Sequence, residues 1–278
     1  MAVTFHESTV AAAACAAGVQ RQRLLTAERV PHTKVLLDRL AMVSGGAVEF
    51  RLPRTNLGWF QMLEGAAVLR HDGETQSLTS AHIVFLPPGF DGHLVSTTGA
   101  VLLYAEVPDA ARFDPALDGQ PPALRIVDWT REPVLDSAHD ARKRIYVVTP
   151  RLFGTKALKG EMILYPPGTE GASHHHEGAE HFMYMLQGCG TAYANERAIP
   201  VRKGDLIYYG ERERHYLRSE GREEMRFVEF FVPGTYKTTW AEGAPVCTWV
   251  PTGRSITGEQ PVREIGGHSS AAATPQDV

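Results

Sequence analysis

The sequence predicts an all-β protein built from two barrel-sized repeats, and three observations predict it. Short apolar segments of four to eight residues recur along the chain, turn residues fall between them, and long helical periodicity is absent. The 26 glycines and 18 prolines supply turns at the frequency that many short strands require. The third observation is that the segments occur in two passages that match each other. With 43% hydrophobic and 22% charged residues over 278 positions, the chain buries a real core without disulfide or metal staples.

The first passage runs from about Thr33 to Val107. Its candidate strands are 46–52, 58–63, 66–70, 82–86 and 100–106, and His71-Asp72-Gly73 and Pro87-Pro88-Gly89 mark turns. The second runs from about Arg144 to Pro233, with candidate strands 145–148, 159–165, 181–186, 190–194, 206–209 and 225–232. Phe60-Gln61-Met62-Leu63-Glu64-Gly65 aligns with Met183-Tyr184-Met185-Leu186-Gln187-Gly188. Ile83-Val84-Phe85-Leu86 aligns with Leu206-Ile207-Tyr208-Tyr209 at the same separation of about 123 residues. The predicted organisation is a barrel over 30–110, a linker over 111–143, a second barrel over 144–235 and an extension over 236–278. Residues 1 to about 30 lack a strong pattern, part of them reading as a mobile arm, and 136–142 reads as a short helical piece. The last ~12 residues, small and polar, read as disordered.

Charge and cysteine content exclude several function classes. Lys and Arg total 28 against 32 Asp and Glu, a net charge of −4, so nucleic-acid and anionic-membrane partners are not expected. The three cysteines, Cys15, Cys189 and Cys247, form no close pair, which argues against a disulfide framework or a zinc ribbon. Cys189, between Gly188 and Gly190, reads as a small turn residue. No stretch is long and apolar enough for a membrane helix, and the run Ala11 to Ala17 has no basic segment before it. The expected location is cytoplasmic, and the expected partner is a small-molecule substrate.

The densest chemical signal is Gly168-Thr-Glu-Gly-Ala-Ser-His174-His175-His176-Glu-Gly-Ala-Glu180-His181, followed after a gap by Gly204-Asp205 and, beyond a further strand, His215. Residues i and i+2 of a strand face one side, so His174 and His176 point together and His175 points away. His181 opens the next strand on the face of Met183 and Met185, whereas Glu180 falls on the opposite face. Imidazole is the commonest neutral metal ligand. Four imidazoles from neighbouring strands converge on one divalent ion with positions left for water or substrate, and His174, His176, His181 and His215 are the expected ligands. Glu180 is the rival to His181 if the loop before the strand is irregular.

These residues resemble the paired motifs of the cupin superfamily. Gly168, His174, His176 and Gly188 fit the first motif, and Gly204 and His215 fit the second. His181 stands where cupins usually carry Glu, and Gly210 and Arg212 replace the usual Pro and Gly of the second motif. Through the internal repeat, the resemblance implies a bicupin, two tandem double-stranded β-helix (jelly-roll) barrels. In the first repeat Gly58 stands at the position of His181 and Gly92 at that of His215, with His93 one residue beyond, so no metal is expected there. That half reads as a packing or assembly partner or a lid.

The bicupin resembles (S)-ureidoglycine aminohydrolase of the glyoxylate-induced protein group, on His181 and on Gly188-Cys-Gly190 followed by Ile199-Pro200-Val201-Arg-Lys-Gly204-Asp205. The resemblance implies manganese and release of ammonia from a ureide, with association into homo-oligomers. The ligand set departs from it, because that family begins with Glu and ends with Gln where His174 and His215 stand here. An all-imidazole set also suits iron, zinc or nickel. A histidine-ligated Fe(II) dioxygenase and a non-catalytic small-molecule binder are the alternatives. Glu180, Tyr208 and Glu229 are candidate acid–base groups on strands of uncertain phase, with Glu161, Tyr165 and Tyr209 as further candidates beside them.

Overall fold

The computed structural model describes residues 2–266. Strands dominate because the apolar segments are too short and too β-branched or aromatic for helices. The one α-helix among the described residues is the four-residue Pro150–Phe153, capped by the Thr149 side chain and closed by Gly154 in the left-handed region. No helix among the described residues is long and apolar enough to cross a membrane.

The chain divides into two compact units, Glu7–Trp129 and a second made of residues 2–6 with 130–266. The first unit is one antiparallel sheet in the order Arg125–Asp128, His82–Leu86, Leu57–His71, Asp91–Val107, Leu36–Met42, Val19–Leu25, Ala13–Ala16. Ala47–Arg51 pairs on Asp91–Val107, and Glu74–Thr79 on Leu57–His71. Its core holds Phe50, Phe60, Met62, Leu69, Val84, Leu94 and Leu102, with Phe50 and Phe60 stacked at 5.0 Å.

The second unit has two sheets. One runs Val3–His6, Asp205–Tyr209, Glu180–Gln187, Met225–Val232, Lys159–Tyr165, Lys143–Val148, Val134–Ser137, Trp249–Pro251. The other runs Arg197–Arg202, Cys189–Ala194, His215–Ser219, His174–Glu177, Lys237–Trp240. Ile163, Met183, Met185, Ile207, Tyr209, Leu217 and Phe227 fill the space inside.

The internal repeat reappears as matched pairings. Leu57–His71 with His82–Leu86 corresponds to Glu180–Gln187 with Asp205–Tyr209. Leu36–Met42 on Asp91–Val107 corresponds to Lys159–Tyr165 on Met225–Val232. Gly65 and Gly188, equivalent by sequence, both adopt φ of 75°. A Cβ on Gly188 would come within 2.7 Å of the Glu224 carbonyl oxygen, so the left-handed conformation and the close strand crossing both demand glycine there.

Several expectations differ from the structure. Residues 2–30 are not a mobile arm: Val3–His6 is the edge strand beside Asp205–Tyr209, and Ala13–Ala16 and Val19–Leu25 extend the first unit's sheet. Residues 111–143, expected as a linker, include Arg125–Asp128, the edge strand of the first unit, and Val134–Ser137 in the second. The piece 136–142 is strand and turn, not helix, because Leu135 and Asp136 pair with Arg144 and Lys143. The extension from 236 contributes Lys237–Trp240 and Trp249–Pro251, each paired into a sheet. The tail expected to be disordered lies almost wholly outside the described residues.

Candidate metal centre

Register brings the histidines together. His174 lies directly opposite His215 on one side and Trp240 on the other, and His176 lies opposite Thr238. His181 lies between Tyr209 and Phe231 across the neighbouring sheet. The rings of His174 and His215 are 4.5 Å apart, those of His174 and His176 4.9 Å, and those of His181 and His215 4.6 Å. One ligand nitrogen from each of His174, His176 and His215 can be chosen so that all three lie within 4.8 Å of one another. His181 is outside that trio. Its ring is 4.9 Å from that of His176 and is sandwiched by Tyr209 and Phe231 at 5.0 and 4.9 Å.

Hydrogen bonding orients the trio. Nδ1 of His174 is 2.8 Å from the Ala172 carbonyl oxygen, and Nδ1 of His215 is 2.7 Å from that of Glu213. A carbonyl only accepts, so Nδ1 carries the proton in both and the Nε2 lone pair is left for an ion. Nδ1 of His176 is 3.1 Å from the Thr238 hydroxyl. Burial holds His174, His176 and His181 well below the ordinary imidazole range, and repulsion among the rings adds to it. Burial also lowers His215, to about 4. All four are therefore neutral near pH 7, the form that ligates.

Orphaned nitrogens test the fit of an ion. Nε2 of His215 and both ring nitrogens of His181 are buried without a hydrogen-bond partner. Each such atom costs about 1–3 kcal/mol if nothing satisfies it. A divalent ion satisfies a lone pair that no neighbouring donor reaches, so this donor set fits a metal.

A cavity of about 80 Å³ adjoins the cluster, and His174, His176 and His215 form part of its wall. Arg142, Arg144, Lys159, Glu161, Glu229, Tyr236 and Trp249 form much of the rest. Glu161 faces Glu229 across paired strands. Burial and the neighbouring Glu161 push the Glu229 carboxyl well above the usual range, so it holds a proton and is hydrogen-bonded to Glu161. Arg144 Nε lies 3.2 Å from Glu161 Oε2 as an ion pair whose N–H misses hydrogen-bond alignment, and its guanidinium sits 4.1 Å over Trp249. Arg142 is clamped by Asp140 at 2.6 Å and also donates to the Tyr165 hydroxyl.

Of the acid–base candidates, Glu229 reaches this cavity, with Glu161 and Tyr165, whereas Glu180 and Tyr208 do not line it. They bond each other instead, Tyr208 donating to Glu180 at 2.9 Å. The cause is strand alternation: with His181 and Met183 turned inward, Glu180 and Phe182 face the other way. Glu180, the rival ligand, thus lies on the face away from His181 and bonds Tyr208. Arg142, Arg144, Lys159 and the aromatic residues of the C-terminal extension were not singled out from the sequence. A usable signal was Lys159-Gly160-Glu161, two charges at i and i+2 in an otherwise apolar strand.

Two tandem units of matched antiparallel topology define an all-β bicupin. Residues 161–231 match the family model described as Cupin domain. The chain is 26% identical over 98 residues to the oxalate-binding protein of Thermotoga maritima, covering 35% of this chain and 75% of that one. Its fold superposes on the E. coli protein Ylba with a TM-score of 0.67 at 14% identity, covering 83% and 90% of the two chains. Bacillus subtilis oxalate decarboxylase, studied for its Mn(II) centres, gives 0.67 at 15% identity over 85% and 78%. At these identities the two solved structures show the fold alone.

Proposed function

We propose that this chain is a metal-dependent enzyme acting on a small polar metabolite, with His174, His176 and His215 holding a divalent ion and His181 as the fourth ligand. The observation that carries the reading is the trio of neutral imidazoles whose free nitrogens converge beside a buried polar cavity. A bound ion supplies Lewis-acid activation of a coordinated oxygen or water. The protein supplies the rest. Glu229 holds a proton at its carboxyl group and Glu161 accepts from it, which makes the pair the acid–base candidates. Phe231, Tyr236, Trp240 and Trp249 wall the cavity with apolar surface and exclude water. Its small volume suits a metabolite of few heavy atoms.

Aminohydrolysis, with release of ammonia from a ureide-like substrate, is the reaction class that the family resemblance supports. Manganese is the metal it implies, and the fold shared with a manganese decarboxylase is consistent with that. A second reading is an Fe(II) dioxygenase, favoured by a ligand trio without a carboxylate. Assays of ammonia release from small ureido-carboxylates, run beside an oxygen electrode, separate the two. Ammonia release that falls about 100-fold or more in Glu229→Gln supports the first. Oxygen consumption without ammonia moves the assignment to the second, and neither activity with any small carboxylate or ureide removes the enzymatic reading.

A further inference from the structure

We propose that Lys159 is a carboxylate anchor in the cavity beside the histidine cluster, so that the substrate carries a carboxylate group. This rests on the reading of that cavity as the substrate site. Lys159 is 3% exposed, at the start of the strand Lys159–Tyr165, and forms part of the cavity wall. Its ammonium donates to the Tyr236 hydroxyl at 2.8 Å. It lies 4.7 Å over the ring of Tyr236, 5.2 Å from that of Tyr146 and 5.6 Å from that of Phe231. Among the described residues no carboxylate oxygen lies within 4.0 Å of it.

The other two cations of the wall differ on this point. Arg142 is matched by Asp140 and Arg144 by Glu161. Glu229, the remaining acid of the wall, is hydrogen-bonded to Glu161, and burial beside that carboxyl pushes it well above the usual range. Burial lowers the Lys159 pKa against the pull of Glu161 and Glu229, so an anion brought into the cavity beside it favours its charged form. A buried ammonium with a single phenol partner is costly to the fold, and aromatic faces offset only part of that cost. Fold stability does not explain such a group, whereas an anionic substrate that completes its hydrogen bonds does. A carboxylate fits the small cavity and presents two acceptor oxygens to the ammonium hydrogens left by Tyr236. The rings of Phe231 and Tyr236 lie against both Lys159 and His176, at 5.0 and 4.7 Å from the latter, so the anchor and the histidine cluster share one wall.

The test is isothermal titration of oxalate, and of its neutral diamide oxamide, into manganese-supplemented wild-type protein and Lys159→Met, with metal content measured on each sample by elemental mass spectrometry. Oxalate is expected to bind Lys159→Met at least about tenfold more weakly than wild type at equal metal content, with oxamide showing no such difference. The variant is expected to melt no lower than wild type, because it removes a buried charge. Lys159→Gln, which retains a donor for Tyr236, replaces it if it does not fold. Equal oxalate affinity in variant and wild type overturns the proposal, as does an equal loss for oxamide, which would make the lysine a packing residue. If the protein takes up no manganese and oxalate binding still depends on Lys159, the metal reading fails and the anchor stands.

Discussion

At the scale of the residue, His215 carries both the geometry and the pH behaviour of the cluster. Its Nδ1 is committed to the Glu213 carbonyl, and its Nε2 is buried and unsatisfied. Burial lowers its pKa from 6.5 to about 4. Between those values the unfolded chain binds a proton that the folded chain does not, so stability rises with pH across the window and is lost as pH falls through it. Unfolding of chelator-treated protein by denaturant is expected to show a loss of about 3 kcal/mol between pH 6.5 and 4 from this residue alone. His215→Asn is expected to flatten that slope by a corresponding amount, and an unchanged slope would contradict the buried neutral imidazole.

At the scale of the element, strand register decides which side chains meet. The strand Glu180–Gln187 turns His181 and Met183 inward and Glu180 outward, and its end is fixed by Gly188 at φ 75°. Gly188→Ala is expected to lower stability by about 2 kcal/mol or more, from the left-handed backbone and the approach to the Glu224 carbonyl. Gly210→Ala is the matched control, because nothing lies within 4 Å of a Cβ built there and the effect should be near zero. Calorimetric melting of the two variants checks the contrast, and equal shifts would contradict it. The same logic explains what was legible beforehand. His174 and His176 at i and i+2, and the repeat linking Gly65 to Gly188, are local patterns that the sequence displays directly. Glu161 facing Glu229, Arg144 over Trp249 and Thr238 beside His176 arise from pairing between distant segments, which no local spacing encodes. The phase of Tyr208 was open for a related reason: alternation says which residues share a face, but not which face is the interior.

At the scale of the whole molecule, two copies of one topology have diverged in chemistry. In the first unit Gly58, the counterpart of His181, pairs with Leu86 and Glu106, and a Cβ there would meet Leu52 at 2.7 Å. Apolar packing occupies the space that a ligand side chain needs. In the second unit the same positions carry imidazoles, and the C-terminal extension adds Thr238, Trp240 and Trp249 around them. The edge strand Val3–His6 of that unit comes from the start of the chain, a contribution the weak pattern of the first 30 residues concealed. The most direct test of the account is the metal content of protein made without a histidine tag, measured by elemental mass spectrometry for wild type and His176→Ala. The account predicts about one equivalent of a divalent transition metal per chain in wild type, lost in the variant; absence of metal from wild type under metal-replete conditions, or its full retention in the variant, would contradict it.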